Sequence, residues 1–222
     1  MNATMQGLRT PFETPEAGGW CEIAEGVLWL RLPLPMRLDH VNCYALDDGD
    51  GWTIIDAALS WSKAREAWEA QLAGPLAGKP LRRLVVTHHH PDHMGLAAML
   101  MERGAELWTT RTAWLYARML TLDHHDRPSP QAIRFARRAG YAGARMESYA
   151  NTEPFNFSRR VLLLPPGYRR IAEGERITMG GRRWLVREGH GHAPEQATFW
   201  SEDDNLVITG DQVLPRISPN VG

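Results

Sequence analysis

The chain is poor in the features that would place it outside the ordinary globular class. It holds two cysteines, Cys21 and Cys43, with no paired spacing, so neither a four-cysteine zinc site nor a disulfide framework is expected. No run of about 18 apolar residues occurs, so no helical membrane span is expected. Met1 to Gly19 is polar, contains Pro11 and Pro15, and lacks the apolar stretch of a secretory signal; residues 1–19 read as a flexible arm. The formal net charge is −1, which leaves no bulk attraction to nucleic acid or an anionic membrane. No Gly-x-Ser-x-Gly segment is present, so a serine nucleophile on a strand-to-helix elbow has no candidate. A reduced, cytoplasmic protein acting on a small molecule is the default expectation.

What is present is a core and a concentration of histidine. Apolar residues make up 43% of the 222 positions and nine are tryptophan, enough to bury a substantial interior. The charge is uneven: residues 1–103 carry 9 Lys+Arg against 13 Asp+Glu, and residues 104–222 carry 16 against 13. Almost all the basic residues are arginine, which favours bidentate anion contacts over loose attraction, although a solvated surface accounts for most of them.

The organising stretch is Val85-Val86-Thr87-His88-His89-His90-Pro91-Asp92-His93-Met94-Gly95. Leu84 to Val86 reads as a buried strand and Leu96 to Met101 as helix, so the histidines occupy a loop at a strand end. Such loops are rigid platforms. In extended backbone His88 and His90 point the same way, and Asp92 continues the alternation with His93 directly after it. Two neutral imidazoles suit zinc or ferrous iron, and an adjacent carboxylate and imidazole suit a second ion close by. A terminal tag is excluded by the apolar flank.

Thr87-His88-x-His90-x-Asp92-His93 resembles the signature of the metallo-β-lactamase-fold hydrolases, in particular their glyoxalase-II-like branch. Gly189-His190-Gly191-His192-Ala193-Pro194-Glu195 resembles the family's second metal-histidine loop, and Leu206 to Asp211 its strand ending in a bridging aspartate. The resemblance implies an α/β fold, a four-layer αβ/βα sandwich with the metal site at the edge between two sheets. It implies His88, His90 and His192 on one ion, Asp92 and His93 on a second, and Asp211 between them. Zinc is the expected metal, two per complete site, with iron or manganese as alternatives. Asp92 would also orient the attacking water. His192 is preferred to His190 because it stands just before the small-residue–proline step. The family's last histidine follows a further strand, whereas here only eleven residues follow Asp211. The domain, residues 20–222, is therefore expected to lack part of its second half and to hold the first ion better than the second.

The remaining chain is read around this motif. Val27 to Leu32, Asp39 to Leu46 and Trp52 to Ile55 form an antiparallel meander, and the last strand ends at Asp56. Asp56 either accepts from a ligand imidazole, with Thr87 beside it, or caps the following helix. His40 either lines the cleft or is merely exposed. Ser60 to Leu72 reads as a helix capped by Ser60. Residues 111–170 read as a mostly helical insert, with helices at 112–122 and 131–139, placed where the family often grows a substrate-covering lid. Asp123-His124-His125-Asp126 reads as a polar inter-helix loop rather than a second metal site. Arg134, Arg137, Arg138 and Arg145 either grip a phosphate-bearing substrate such as a coenzyme A thioester or keep the face soluble. From Ile171 a strand pattern returns, with a hairpin around Gly180-Gly181 and a buried strand at Leu206 to Thr209. The reading is a metal-dependent hydrolase of an ester, thioester or lactone. The alternatives are a metal-dependent ribonuclease or phosphodiesterase, a non-heme iron redox protein, or an inactive metal-binding fragment of the same fold.

Overall fold

The computed structural model describes residues 11–214 and 217–221. The expected arm therefore lies outside the described residues over positions 1–10. Among the described residues eleven strands form two sheets: β1 (Trp20–Ala24), β2 (Val27–Pro33), β3 (His40–Asp47), β4 (Trp52–Ile55), β5 (Leu81–Val86), β6 (Glu106–Thr109), β7 (Arg169–Arg170), β8 (Arg176–Met179), β9 (Arg182–Gly189), β10 (Gln196–Ser201) and β11 (Val207–Ile208). The helices are α1 (Ser62–Ala73), α2 (Pro91–Met94), α3 (Ala97–Glu102), α4 (Arg111–Leu122), α5 (Pro130–Arg138) and α6 (Gly143–Asn151). The first sheet runs in order β1 to β7 and the second in order β11-β10-β9-β8. β1 to β4 pair antiparallel, and β4, β5, β6 and β7 pair parallel.

The side-chain alternation of the first sheet divides the interior in two. On one face Leu30, Cys43, Ile54, Leu84 and Val86 pack against Ala64 and Trp68 of α1 and Met99 and Leu100 of α3. On the other, Val27, Leu46, Ile55 and Val85 meet Met179, Trp184, Val186 and Phe199 of the second sheet. Helices, sheet and sheet thus form three layers. The outer face of the second sheet leaves Arg183, Arg187, Trp200 and Val207 exposed, so the fourth layer of the expected sandwich is not seen among the described residues.

Several local readings are corrected. β1 was not anticipated; it pairs with β2 from Trp20↔Leu30 to Ala24↔Val27. α1 begins at Ser62 with Trp61, which has no side-chain acceptor, at the cap position; Ser60 stands one residue too early to cap and its N–H donates to the Arg160 carbonyl at 3.0 Å. β11 is two residues long and Val207 is exposed, so the buried strand expected at Leu206 to Thr209 is shorter and only Ile208 is buried. The insert is helical only as far as Asn151; the stretch to Tyr168 holds a single 3₁₀ turn, Phe157–Arg159.

Two crowded turns bring the strand ends to the site. Asp56 and Ala58, after β4, both take φ of 63°. The Ala58 carbonyl accepts from Leu96 N at 3.0 Å, and the Ala57 N–H donates to the His93 carbonyl at 2.7 Å. Gly95 fills the gap between these segments: a Cβ there would lie 2.4 Å from Ser60 N and 2.6 Å from the Ala58 carbonyl. Both obstacles are backbone, so Gly95→Ala should cost about 1–3 kcal/mol and lower the melting temperature by several degrees. A thermal melt unchanged within error would show that the turn yields without cost.

Candidate metal centre

The site is assembled at the C-terminal ends of β4 and β5, which are parallel neighbours with Ile55 opposite Val85. Asp56 follows the first and Thr87 the second. Asp56 Oδ1 accepts the Thr87 N–H at 2.8 Å, and Asp56 Oδ2 accepts the Thr87 hydroxyl at 2.9 Å. Asp56 Oδ2 also lies 2.8 Å from His93 Nδ1. The Thr87 hydroxyl lies 2.9 Å from His88 Nδ1. Its single proton goes to Asp56, so it accepts from His88 Nδ1–H, and His88 Nε2 is left as a lone pair facing the cleft.

The second histidine loop comes from the other sheet. The Ala197 N–H donates to the Thr87 carbonyl at 2.9 Å, joining the start of β10 to the end of β5. His192 Nδ1 is 2.9 Å from the Asn220 carbonyl, which only accepts, so Nδ1 carries the proton and Nε2 does not. His88 Nε2 and His192 Nε2 then face each other at 3.2 Å as two acceptors. His90 Nδ1 closes the triangle, 3.1 Å from His88 Nε2 and 2.8 Å from His192 Nε2. Lone pairs held this close call for a cation between them. A tetrahedral ion bound at 2.0–2.1 Å separates its ligand nitrogens by about 3.3 Å, close to what is found. The donor set therefore fits a zinc-like ion.

A second group shares His88: His88, His93 and Asp211 also bring ligand atoms within 4.8 Å of one another. His93 is buried and its Nε2 makes no hydrogen bond, standing 3.4 Å from Asp211 Oδ1 and 3.6 Å from Asp92 Oδ2. Asp211 Oδ2 lies 3.5 Å from His192 Nε2, so this carboxylate spans the two groups. Asp92 stands beside the second group rather than within its closest trio.

The electrostatics divide the histidines. Burial, reinforced by the neighbouring imidazoles, pushes His88 well below its ordinary pKa. Burial and the adjacent His89 and His192 push His90 down to about 4. Both are held as neutral imidazoles, the form that can ligate a cation. His93 moves the other way: burial opposes its charge, but Asp56, Asp92 and Asp211 outweigh it and raise the pKa well above the usual value. Asp211 is itself held below the ordinary carboxylate range; burial works against this and His93 prevails. Positive charge is favoured at His93 Nε2, the position that the second group offers to an ion.

Other candidates fall elsewhere. His40 pairs with Asp39 at 2.6 Å and Arg31 at 2.9 Å and is not in the cluster. His190 is exposed and accepts from Glu195 N at 3.2 Å. His124 and His125 pair with Asp126 and Asp123 on the surface, and among the described residues no ligand group forms there. Arg134, Arg137, Arg138 and Arg145 are exposed. Two contributors were not read from the sequence. The Asn220 carbonyl fixes His192, and no sequence signal marks it. His89 is 8% exposed and packs edge-on to Tyr116 at 5.0 Å, bringing α4 against the metal loop.

Three layers with two histidine–aspartate groups at their edge are the arrangement that the motif's resemblance implies. The family model described as "Metallo-beta-lactamase superfamily" matches residues 36–222, and the chain belongs to that superfamily. A beta-lactamase domain protein from Burkholderia ambifaria superposes with a TM-score of 0.74 at 37% identity, covering 94% of this chain and 62% of that one. "Probable metallo-hydrolase YqjP" of Bacillus subtilis is 26% identical over 198 residues, 88% of this chain and 60% of that protein. A hydroxyacylglutathione hydrolase of Cereibacter sphaeroides is 25% identical over 185 residues, 82% of this chain and 53% of that protein. The chain thus spans little more than half the length of these curated relatives.

The Asp56 carboxylate holds three donors, so Asp56→Asn should weaken zinc binding roughly 10- to 100-fold. Competition with a chromogenic chelator measures this; an unchanged affinity would reduce Asp56 to a packing group. For pH, His90 lowered to about 4 is neutral and ligating above that value and protonated below it. Zinc retention should hold from pH 7 to about 5 and collapse as pH approaches 4. Release already at pH 6.5, the ordinary histidine value, would contradict the burial argument.

Proposed function

We propose that this chain is the catalytic part of a zinc-dependent hydrolase of an ester, thioester or lactone. His88, His90 and His192 would hold the first ion; Asp92 and His93 would hold the second, with Asp211 shared. The observation that carries the reading is the pair of unprotonated nitrogens, His88 Nε2 and His192 Nε2, facing each other at 3.2 Å with His90 Nδ1 beside them. When bound, such ions lower the pKa of water to about 7 and supply the nucleophile.

The chain's own residues do the rest. Asp92, at 28% side-chain exposure, stands at the open side of the group, orients the attacking water and takes up its proton. Asp56 keeps His93 turned so that Nε2 faces the cleft. Thr87 does the same for His88. The similarity to a hydroxyacylglutathione hydrolase supports a thioester or ester over a phosphodiester. The near-neutral charge also supports a substrate other than RNA. Free Cys21 and Cys43 fit a reducing, cytoplasmic setting. No helix among the described residues is long and apolar enough to cross a membrane.

Zinc-reconstituted chain should hydrolyse simple acyl thioesters, lose the activity to a chelator and regain it with zinc. His192→Ala should lower kcat/KM by more than about 100-fold with loss of bound zinc; Asp92→Asn should lower kcat comparably while keeping the first ion. Cleavage of a phosphodiester with no acyl substrate turned over would reverse the substrate assignment.

A further inference from the structure

α4 is amphipathic in an unusual sense. Between Thr112 and Leu122 every fully exposed side chain is apolar: Leu115, Tyr116, Met119 and Leu122, at 48%, 38%, 55% and 64% exposure. The only charge within that span, Arg118, is turned away, stacked over Trp114 at 5.5 Å and donating to the Leu164 carbonyl. A helix face open to water ordinarily carries charged side chains. Single exposed apolar residues need no explanation, but four on one arc without an intervening charge do.

The stripe is continuous with the metal centre. Tyr116 lies edge-on to His89 at 5.0 Å, and His89 sits between His88 and His90. The start of the helix is clamped to the other histidine loop: the Thr112 N–H donates to Glu195 Oε2 at 3.0 Å, three residues after His192. Glu195 is held there at a φ of 49°. Both metal loops therefore fix α4 in place. From Tyr116 each three-residue step climbs about 4.5 Å and turns about 60° around the axis, so Met119 and then Leu122 lead away from the metal. The run from Tyr116 to Leu122 is about 9 Å, the length of roughly seven methylenes.

We propose that the outward face of α4 is the wall that binds an unbranched apolar acyl chain, whose carbonyl end lies at the metal centre. The proposal rests on the acyl-hydrolase reading above and names the part of the substrate that this site selects. Apart from the turned-away Arg118, no charged side chain stands between Leu115 and Leu122, the nearest exposed cation of the helix being Arg111, one turn before Leu115 and close to Glu195; an apolar tail therefore suits the stripe, and the contact of Tyr116 with His89 puts one end of any occupant beside the histidine cluster. A wall open on one side should give about two- to fourfold in kcat/KM per methylene until the stripe is filled.

The test uses zinc-loaded chain and straight-chain acyl thioesters of N-acetylcysteamine from two to twelve carbons. Binding of the matching alkyl thioethers is followed by tryptophan fluorescence. kcat/KM and affinity should rise together to about eight carbons and then level. Met119→Lys and Leu122→Lys should each lower the eight- to two-carbon ratio at least tenfold, and Met119→Leu should preserve it. Val207→Lys, on the outer face of the second sheet, should leave the ratio as in the parent chain. Hydrolysis of all lengths at equal rates, with flat thioether binding, would overturn the acyl wall and leave the hydrolase reading standing. No hydrolysis of any length, with thioether affinity still rising with length, would overturn the hydrolase reading and keep the wall. Self-association abolished by Met119→Lys, with no length-dependent binding, would assign the stripe to a second copy of the chain and overturn the proposal.

Discussion

Everything at the metal edge depends on one buried carboxylate. Asp56 is 2% exposed and accepts from the Thr87 backbone, the Thr87 hydroxyl and His93. A charge removed from water this fully is tolerable only when its lone pairs are satisfied. Those donors orient two of the histidines, one directly and one through the threonine. The left-handed backbone at Asp56 is strain stored at a point where the surrounding strands leave no alternative.

The second dependency is the junction of the two sheets. Each sheet delivers its histidines from a loop at a strand end, and the bond from Ala197 N to the Thr87 carbonyl sets how far apart those loops stand. The apolar layer of Trp184, Phe199, Ile55 and Val85 beneath it makes that distance stiff. The nitrogen triangle is therefore a property of sheet packing as much as of the loops. Packing also explains why burial, rather than any single charge, dominates the depressed pKa values of His88 and His90.

Much of this was legible in the letters because it is local. The strand–loop–helix order around His88 to His93 follows from apolar runs of the right length on either side of a polar stretch. The choice of His192 over His190 rested on a dipeptide step, and the structure turns His192 towards the cluster and His190 to solvent. What was missed is long-range. β1 has a weak apolar pattern and exists because β2 offers it an edge. Ser60 has the residue type of a cap, but the helix starts one residue later than the pattern implied, and the Ser60 backbone is tied instead to Arg160, 100 residues away in sequence. The clamp from Glu195 to α4 and the Asn220 carbonyl on His192 join segments whose proximity no spacing rule encodes.

The wide separation of the clustered histidines also bears on how the chain reaches its folded state. His88 and His192 are 104 residues apart, and their meeting requires the whole of the first sheet to form and the second to dock on it. Contacts of such high sequence separation form late, after the entropy of loop closure has been met. Until then the His88–His93 loop is a partial chelator on a half-built platform. An ion that binds the finished triangle and not its precursors shifts the folding equilibrium by mass action, in proportion to the logarithm of its free concentration. With an ion bound, the same three nitrogens would make the availability of metal a determinant of how much chain is folded at all.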